Sequence, residues 1–223
     1  MARDMYGTMT GPSAWMMTTV WDARHVVLLC AMWTVMMIGM MVPSAAPTLL
    51  LYAGVMRRSP DGARAALRVY PMAAGYVLVW FGFSVAATLL QRWLSTMLLL
   101  SPMMTLASPL AAGLLLMAAA LYQLTPLKRS CLDSCRSPIT FITTHMKAGA
   151  SGAFRLGVEH GLYCLGCCWV LMLLLFAGGV MNLLVIAVLM TFVLFEKLAP
   201  FGAYSARLGA IVLIGGAAWI LTG

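Results

Sequence analysis

Charge is scarce in this chain. Of its 223 residues, 9% are Asp, Glu, Lys or Arg, and only six are acidic. A soluble domain carries roughly 25% charged and 45–50% apolar residues. Here 63% are hydrophobic and the mean hydropathy is +0.95. A core of this length cannot hide so much apolar surface from water, which excludes the soluble globular class and disorder alike. The shortage of carboxylates excludes a hard-cation cage, because Asp133, Glu159 and Glu196 are too few and too scattered. Six cysteines are too few for a disulfide scaffold. There is no Gly-rich phosphate loop, no Gly-x-Ser-x-Gly elbow and no RNA or DNA motif. Nucleic-acid binding is therefore not expected, although the net charge is +8. Nor is the first apolar run cleanly a signal peptide, since it ends in Met-Met-Val-Pro without a small-x-small cleavage site.

What is abundant is methionine, with 20 residues. Part of that is packing filler, but the thioether is also a soft metal ligand.

The pattern predicts an all-α fold: one polytopic membrane helical bundle over residues 1–223, with about six spans and no separate soluble domain. A spanning helix needs about 20 mostly apolar residues. The runs lie at about 26–42, 69–90, 106–124, 157–180, 183–196 and 208–221. Pro43 is expected to stop the first. Residues 97–108, with Pro102, form a kinked or interfacial approach to the third. Gly178, Gly179 and Asn182 are expected to make a tight turn. Basic residues set the orientation. Arg57, Arg58, Arg64 and Arg68 lie in the first loop, Lys128, Arg129, Arg136, Lys147 and Arg155 in the third, and Lys197 and Arg207 in the fifth. On the other side stand only Arg3, Arg24 and Arg92, a split of eleven to three. Loops one, three and five should face the cytoplasm, with both termini outside and the chain in the cell inner membrane. Cys131 and Cys135, in the third loop, should then be reduced thiols.

The fourth span carries the most chemistry. His160, Cys164, Cys167 and Cys168 stand at offsets of 0, 4, 7 and 8. At 3.6 residues per turn they point to roughly 0°, 40°, −20° and 80°, one stripe of imidazole and sulfur. Glu159 adjoins it. Such groups are costly in a lipid-embedded helix unless used, although a lone cysteine can simply let helices approach closely. Cys131 and Cys135 are spaced i, i+4 near the same membrane surface, so the two cysteine groups can meet. Met32, Met36 and Met40 form a stripe on the first span, with Met37 and Met41 beside it. Met40 and Met41 lie towards its cytoplasmic end. Glu196 reads as an ion-pair partner of Lys197 or another basic residue, and His145 as a solvated loop imidazole. His25 and Cys30 belong to the opposite side, Cys30 as packing. Thiolate, thioether and imidazole together favour Cu(I), with Zn(II) as second choice.

The segments CLDSCRSP, RLGVEHGLYCLGCCWVLM, GGVMNLL and EKLAP, with MMVPSAAP in the first span, resemble the bacterial predicted metal-binding integral membrane proteins of unknown function. The resemblance covers roughly residues 30–215. It implies that the family's cysteine pair falls on Cys131 and Cys135, its second cluster on Cys164, Cys167 and Cys168, the preceding histidine on His160, and the methionines on Met40 and Met41. Three functions follow as expectations. The first is a copper-handling membrane protein that stores, passes or delivers the ion. The second is an accessory subunit of a larger membrane oxidase or monooxygenase, or a homo-oligomer in the bilayer. The third is a membrane thiol or metal redox enzyme. A transporter reading lacks a detectable inverted repeat.

Overall fold

The computed structural model describes residues 22–58, 62, 67–97, 99–100, 105–198 and 202–222. Arg3 and Arg64 of the charge count, and Pro102, lie outside them. The elements are helices α1 (Ala23–Arg57), α2 (Val69–Thr96), α3 (Pro109–Gln123), α4 (Pro126–Arg136), α5 (Pro138–His145), α6 (Gly149–Leu173), α7 (Leu175–Gly178), α8 (Leu183–Leu198) and α9 (Gly202–Thr222). Among the described residues there is no strand, only an isolated bridge between Leu100 and Leu106. Four helices are long and apolar enough to cross a membrane: α1, α2, α6 continued by α7, and α9. There are five if α3 and α4, bent by 64°, make one broken span. At 16 residues, α8 falls short. The outer surface is apolar, with Leu183 and Trp219 79% and 80% exposed.

Three sequence expectations change in the structure. Pro43 does not end the first span; α1 runs through Pro43 and Pro47. Proline removes an N–H and strains the carbonyl four residues back. The same stretch of α1 is also bonded by groups outside the helix ladder. Here Met41 O accepts from Ser44 Oγ at 2.8 Å and from Tyr76 OH of α2 at 3.0 Å. The third loop is not a loop: α4 and α5 fill most of it, each opening on a proline. Proline suits the first helical position, where the missing N–H has no intrahelical partner, and the Thr125 side chain caps α4. Finally, the fourth run is helical from Gly149 and breaks at Leu174. Gly179 turns the chain at φ 96°, and Asn182 Oδ1 accepts from Leu184 N at 3.1 Å at the start of α8.

Helix α6 packs along α2 and α4, α1 packs on α2, and α3 pairs with α9, while α8 reaches α1, α4 and α9. The α2–α6 contact is backbone to backbone. A Cβ on Gly75 would collide with the Phe154 carbonyl, and one on Gly157 with the Met72 carbonyl. Small residues permit this approach where apolar burial alone gives no preference between helix and lipid. A buried hydrogen bond from Trp33 Nε1 to Gln91 Oε1, 2.7 Å long, fixes α1 on α2.

Gly157→Leu should therefore force α2 and α6 apart, at about 3 kcal/mol or more. Gly82→Leu, whose Cβ meets nothing within 4 Å, should stay within about 1 kcal/mol of the parent. Thermal unfolding followed by circular dichroism in detergent measures both.

Candidate metal centre

The close α2–α6 contact brings Tyr76 against the cysteine stripe. Tyr76 OH lies 2.9 Å from Cys164 Sγ. From α8, Lys197 Nζ reaches the same sulfur at 2.7 Å and the Ser44 hydroxyl of α1 at 3.1 Å. Four helices thus converge on one sulfur. Cys164, Cys167 and Cys168 are each 1% exposed. A buried ammonium is costly unless it is partnered, and Lys197 finds its partners in a sulfur and a hydroxyl.

A fifth helix completes the group. Cys135, on α4, is half-buried and packs against the core that contains Cys164, Cys167 and Cys168. Cys131, one turn earlier, sits against Gly166. A side chain at residue 166 would place its Cβ 2.7 Å from Cys131 Sγ, so the glycine is what lets α4 close on α6. Tyr122 OH donates to the Gly166 carbonyl and ties α3 to the same turn. The thiols are turned inward: Cys167 Sγ and Cys168 Sγ donate to the Cys164 carbonyl at 3.1 and 3.0 Å. Among the described residues, no group of three or more His, Cys, Asp or Glu side chains is placed to hold a metal ion. What α4 and α6 assemble is an open set of soft donors whose hydrogen bonds have to be exchanged for a ligand.

The other candidate residues divide. His160, one turn from Cys164, is buried, and its Nδ1 has no hydrogen-bond partner. Its ring packs against Tyr76 and Phe141, with centroids 5.6 and 5.2 Å away. Nδ1 shares its lack of a partner with Trp80 Nε1 and Gln123 Nε2, and of the three it is the atom whose lone pair can serve a metal ion. Met40 and Met41 are buried in the core that contains the three α6 cysteines. Glu159 is not brought to the sulfurs; it faces outward and accepts from Arg155 Nε at 3.0 Å. It stands 100° round the helix from His160, and an i, i+4 arginine is nearer to it than any thiol. His145 is not a solvated loop imidazole. It ends α5 and stacks on Phe141 at 4.8 Å. His25 is buried in the first turn of α1, and Cys30 is half-buried on that helix outside the cluster.

Glu196 was expected to pair with Lys197 or with another basic residue, and the structure gives the second. Glu196 pairs with Lys128 of α4, both carboxylate oxygens lying 2.8 Å from Nζ, with the side chains 2% and 1% exposed. Lys128 also donates to Gln123 Oε1. Adjacent residues on a helix point about 100° apart. Glu196 therefore clamps α8 to α4, while Lys197 enters the thiol group. Tyr76, Ser44, Lys128 and Lys197 were not among the candidate residues. The one sequence signal for Lys197 was a Glu-Lys pair closing an otherwise apolar run.

These features define a class: an all-helical bundle with apolar, membrane-length helices and a buried group of thiols from two stretches of chain. The sequence model of the PpoB2 copper chaperone family matches residues 30–220, and the chain belongs to that family. This agrees with the metal-related resemblance and points to copper, whereas nothing supports zinc. No curated protein and no solved structure matches the chain.

Removing one partner of a buried ion pair leaves an uncompensated charge. Glu196→Ala should cost about 3–5 kcal/mol, and adding Lys128→Met should recover part of that loss. A double-mutant cycle of unfolding midpoints checks this.

Proposed function

We propose that this chain is an integral protein of the inner membrane that holds Cu(I) on the thiols of Cys135, Cys164 and Cys167, with Cys168 and His160 beside them, and passes it to a partner. The observation that carries the reading is that Cys131 and Cys135 of α4 pack against the core that holds Cys164, Cys167 and Cys168 of α6, in a member of a copper chaperone family. Soft sulfur donors select Cu(I) over harder ions. The orphaned Nδ1 of His160 adds a donor of suitable type. Cys131, one turn from Cys135 and against α6, is placed to receive or release the ion at the rim of the group.

The helices of membrane length and the outward leucines, valines and Trp219 support a place in the bilayer. With α3 and α4 as one broken span, loops one and three share a side, and their basic residues favour the cytoplasm, so that α4 ends at the inner membrane surface. The ion would then be exchanged from the reducing compartment, where the cysteines stay reduced.

Lys197 has a definite part in this arrangement. It supplies a fixed positive charge beside Cys164 in the copper-free protein. A site of several thiolates and one Cu(I) carries net negative charge, and the same ammonium offsets it. Tyr76 holds Cys164 from the opposite helix.

The accessory-subunit reading is compatible, because a chaperone must dock on its client. The unpartnered apolar faces of α8 and α9 give it surface to do so. A thiol redox role has less support, since a reactive thiol needs access and the three α6 cysteines are buried.

The purified chain, loaded with Cu(I) under reducing conditions, should retain copper by elemental analysis. Cys164→Ser with Cys167→Ser should abolish retention at the cysteines while leaving the circular dichroism spectrum intact. An intact parent protein that retains no copper after loading overturns the reading. Retention should also weaken on acidification, because protons compete with the metal for thiolate sulfur.

A further inference from the structure

A second group of sulfurs lies outside the cysteine centre. Helix α1 and the first half of α8, with the two residues Val180 and Met181 before it, leave a groove of about 800 Å³ between them. Met32, Met36 and Met40 line one wall, and Met181 and Met190 the other. No charged residue, histidine or cysteine lines it, and its remaining lining is aliphatic. The spacing of the first three, four residues each, puts them on one slowly drifting stripe of α1, successive turns about 6 Å apart. Met32 and Met36 are half-buried, whereas Met40 is 2% exposed. Gly39 also lines the groove, and a Cβ there would meet nothing within 4 Å, so the space beside Met40 is open. Next to Met40, the Met41 carbonyl accepts from Tyr76 OH, which touches Cys164 Sγ. The groove therefore ends a single residue away from the backbone that holds the cysteine centre.

We propose that this groove is a second Cu(I) site made of thioethers, separate from the cysteines and feeding on the same ion. The inference rests on the copper reading above for the identity of the metal. It does not rest on the cysteines as ligands. Thioethers are soft, neutral donors that suit Cu(I) and offer little to Zn(II), Mg(II) or Ca(II). They carry no proton at ordinary pH, so binding here releases none. Copper enters and leaves as Cu(I), with no change of oxidation state. The packing alternative makes a different forecast, because a space-filling methionine tolerates the nearly isosteric leucine.

The experiment titrates the full chain in detergent with Cu(I) held in a chelator buffer, and repeats the titration with Ag(I). The parent protein should show two classes of site. One is weakened by acid and lost on replacing Cys135, Cys164 and Cys167 by serine. The other is insensitive to acid and survives those replacements. Met→Leu at 32, 36, 40, 181 and 190 together should raise the Kd of the acid-insensitive class by about tenfold or more and leave the first class unchanged. The same exchange at buried Met37, Met72 and Met172, which lie outside the groove, should change neither class. A single, cysteine-dependent class in the parent overturns the groove proposal and leaves the copper reading standing. Unchanged second-site binding in the five-residue variant, or an equal loss in the control variant, overturns it as well. Loss of all binding in the groove variant with full binding in the cysteine variant would instead keep the groove and discard the cysteine centre.

Discussion

The contact between the Lys197 ammonium and the Cys164 sulfur is the constraint around which the bundle is organised. An ammonium inside an apolar protein is tolerated only with partners in place. Satisfying it requires α8 to reach α6 and, through Ser44, α1. Tyr76 approaches the same sulfur from α2, and its reach depends on Gly75 and Gly157 letting two backbones nearly touch. Glu196, one residue from Lys197, holds the other side of α8 to α4 through Lys128. A single dipeptide thus aligns α8 with three neighbours, and with it the depth at which the thiols lie.

The cysteine centre combines rigidity with exchangeable bonds. Its helices are fixed by one buried ion pair and close backbone packing. Its thiols, in contrast, are held by a carbonyl, a tyrosine hydroxyl and one ammonium. Hydrogen bonds of this kind are worth about 1 kcal/mol each net. A protein that must both hold and release a metal ion is served by that division. The methionine-lined groove beside α1 extends the theme, with neutral donors where the centre has ionisable ones.

Much of this was legible in the sequence. The scarcity of charge and the length of the apolar runs are enough to call for helices of membrane length, because backbone polar groups in lipid must be satisfied within the segment. The i, i+4 spacing of Cys131 and Cys135 marks a helical face, and α4 is that helix. The offsets from His160 to Cys168 describe one stripe, and the stripe is what α6 buries. The prolines were harder. Pro43 looks like a stop, since local rules penalise an interior proline, yet α1 continues through it, packed on α2 and bonded there by a tyrosine 35 residues from Met41. Glu159 looks like a ligand by adjacency, yet a direction change of one residue takes it out of the site.

Composition and periodicity by themselves determined that this chain is all-helical, apolar on its outside and furnished with soft donors, because those properties depend on residue type and on the 3.6-residue repeat. The tertiary structure alone decided which donors meet. Gly166 admits α4, Lys197 turns towards Cys164 and away from its neighbour Glu196, and Cys135 packs against the core that holds thiols some thirty residues further along the chain. Such pairings depend on how helices cross and on where a missing side chain lets them close. Neither quantity is written in any local stretch of sequence.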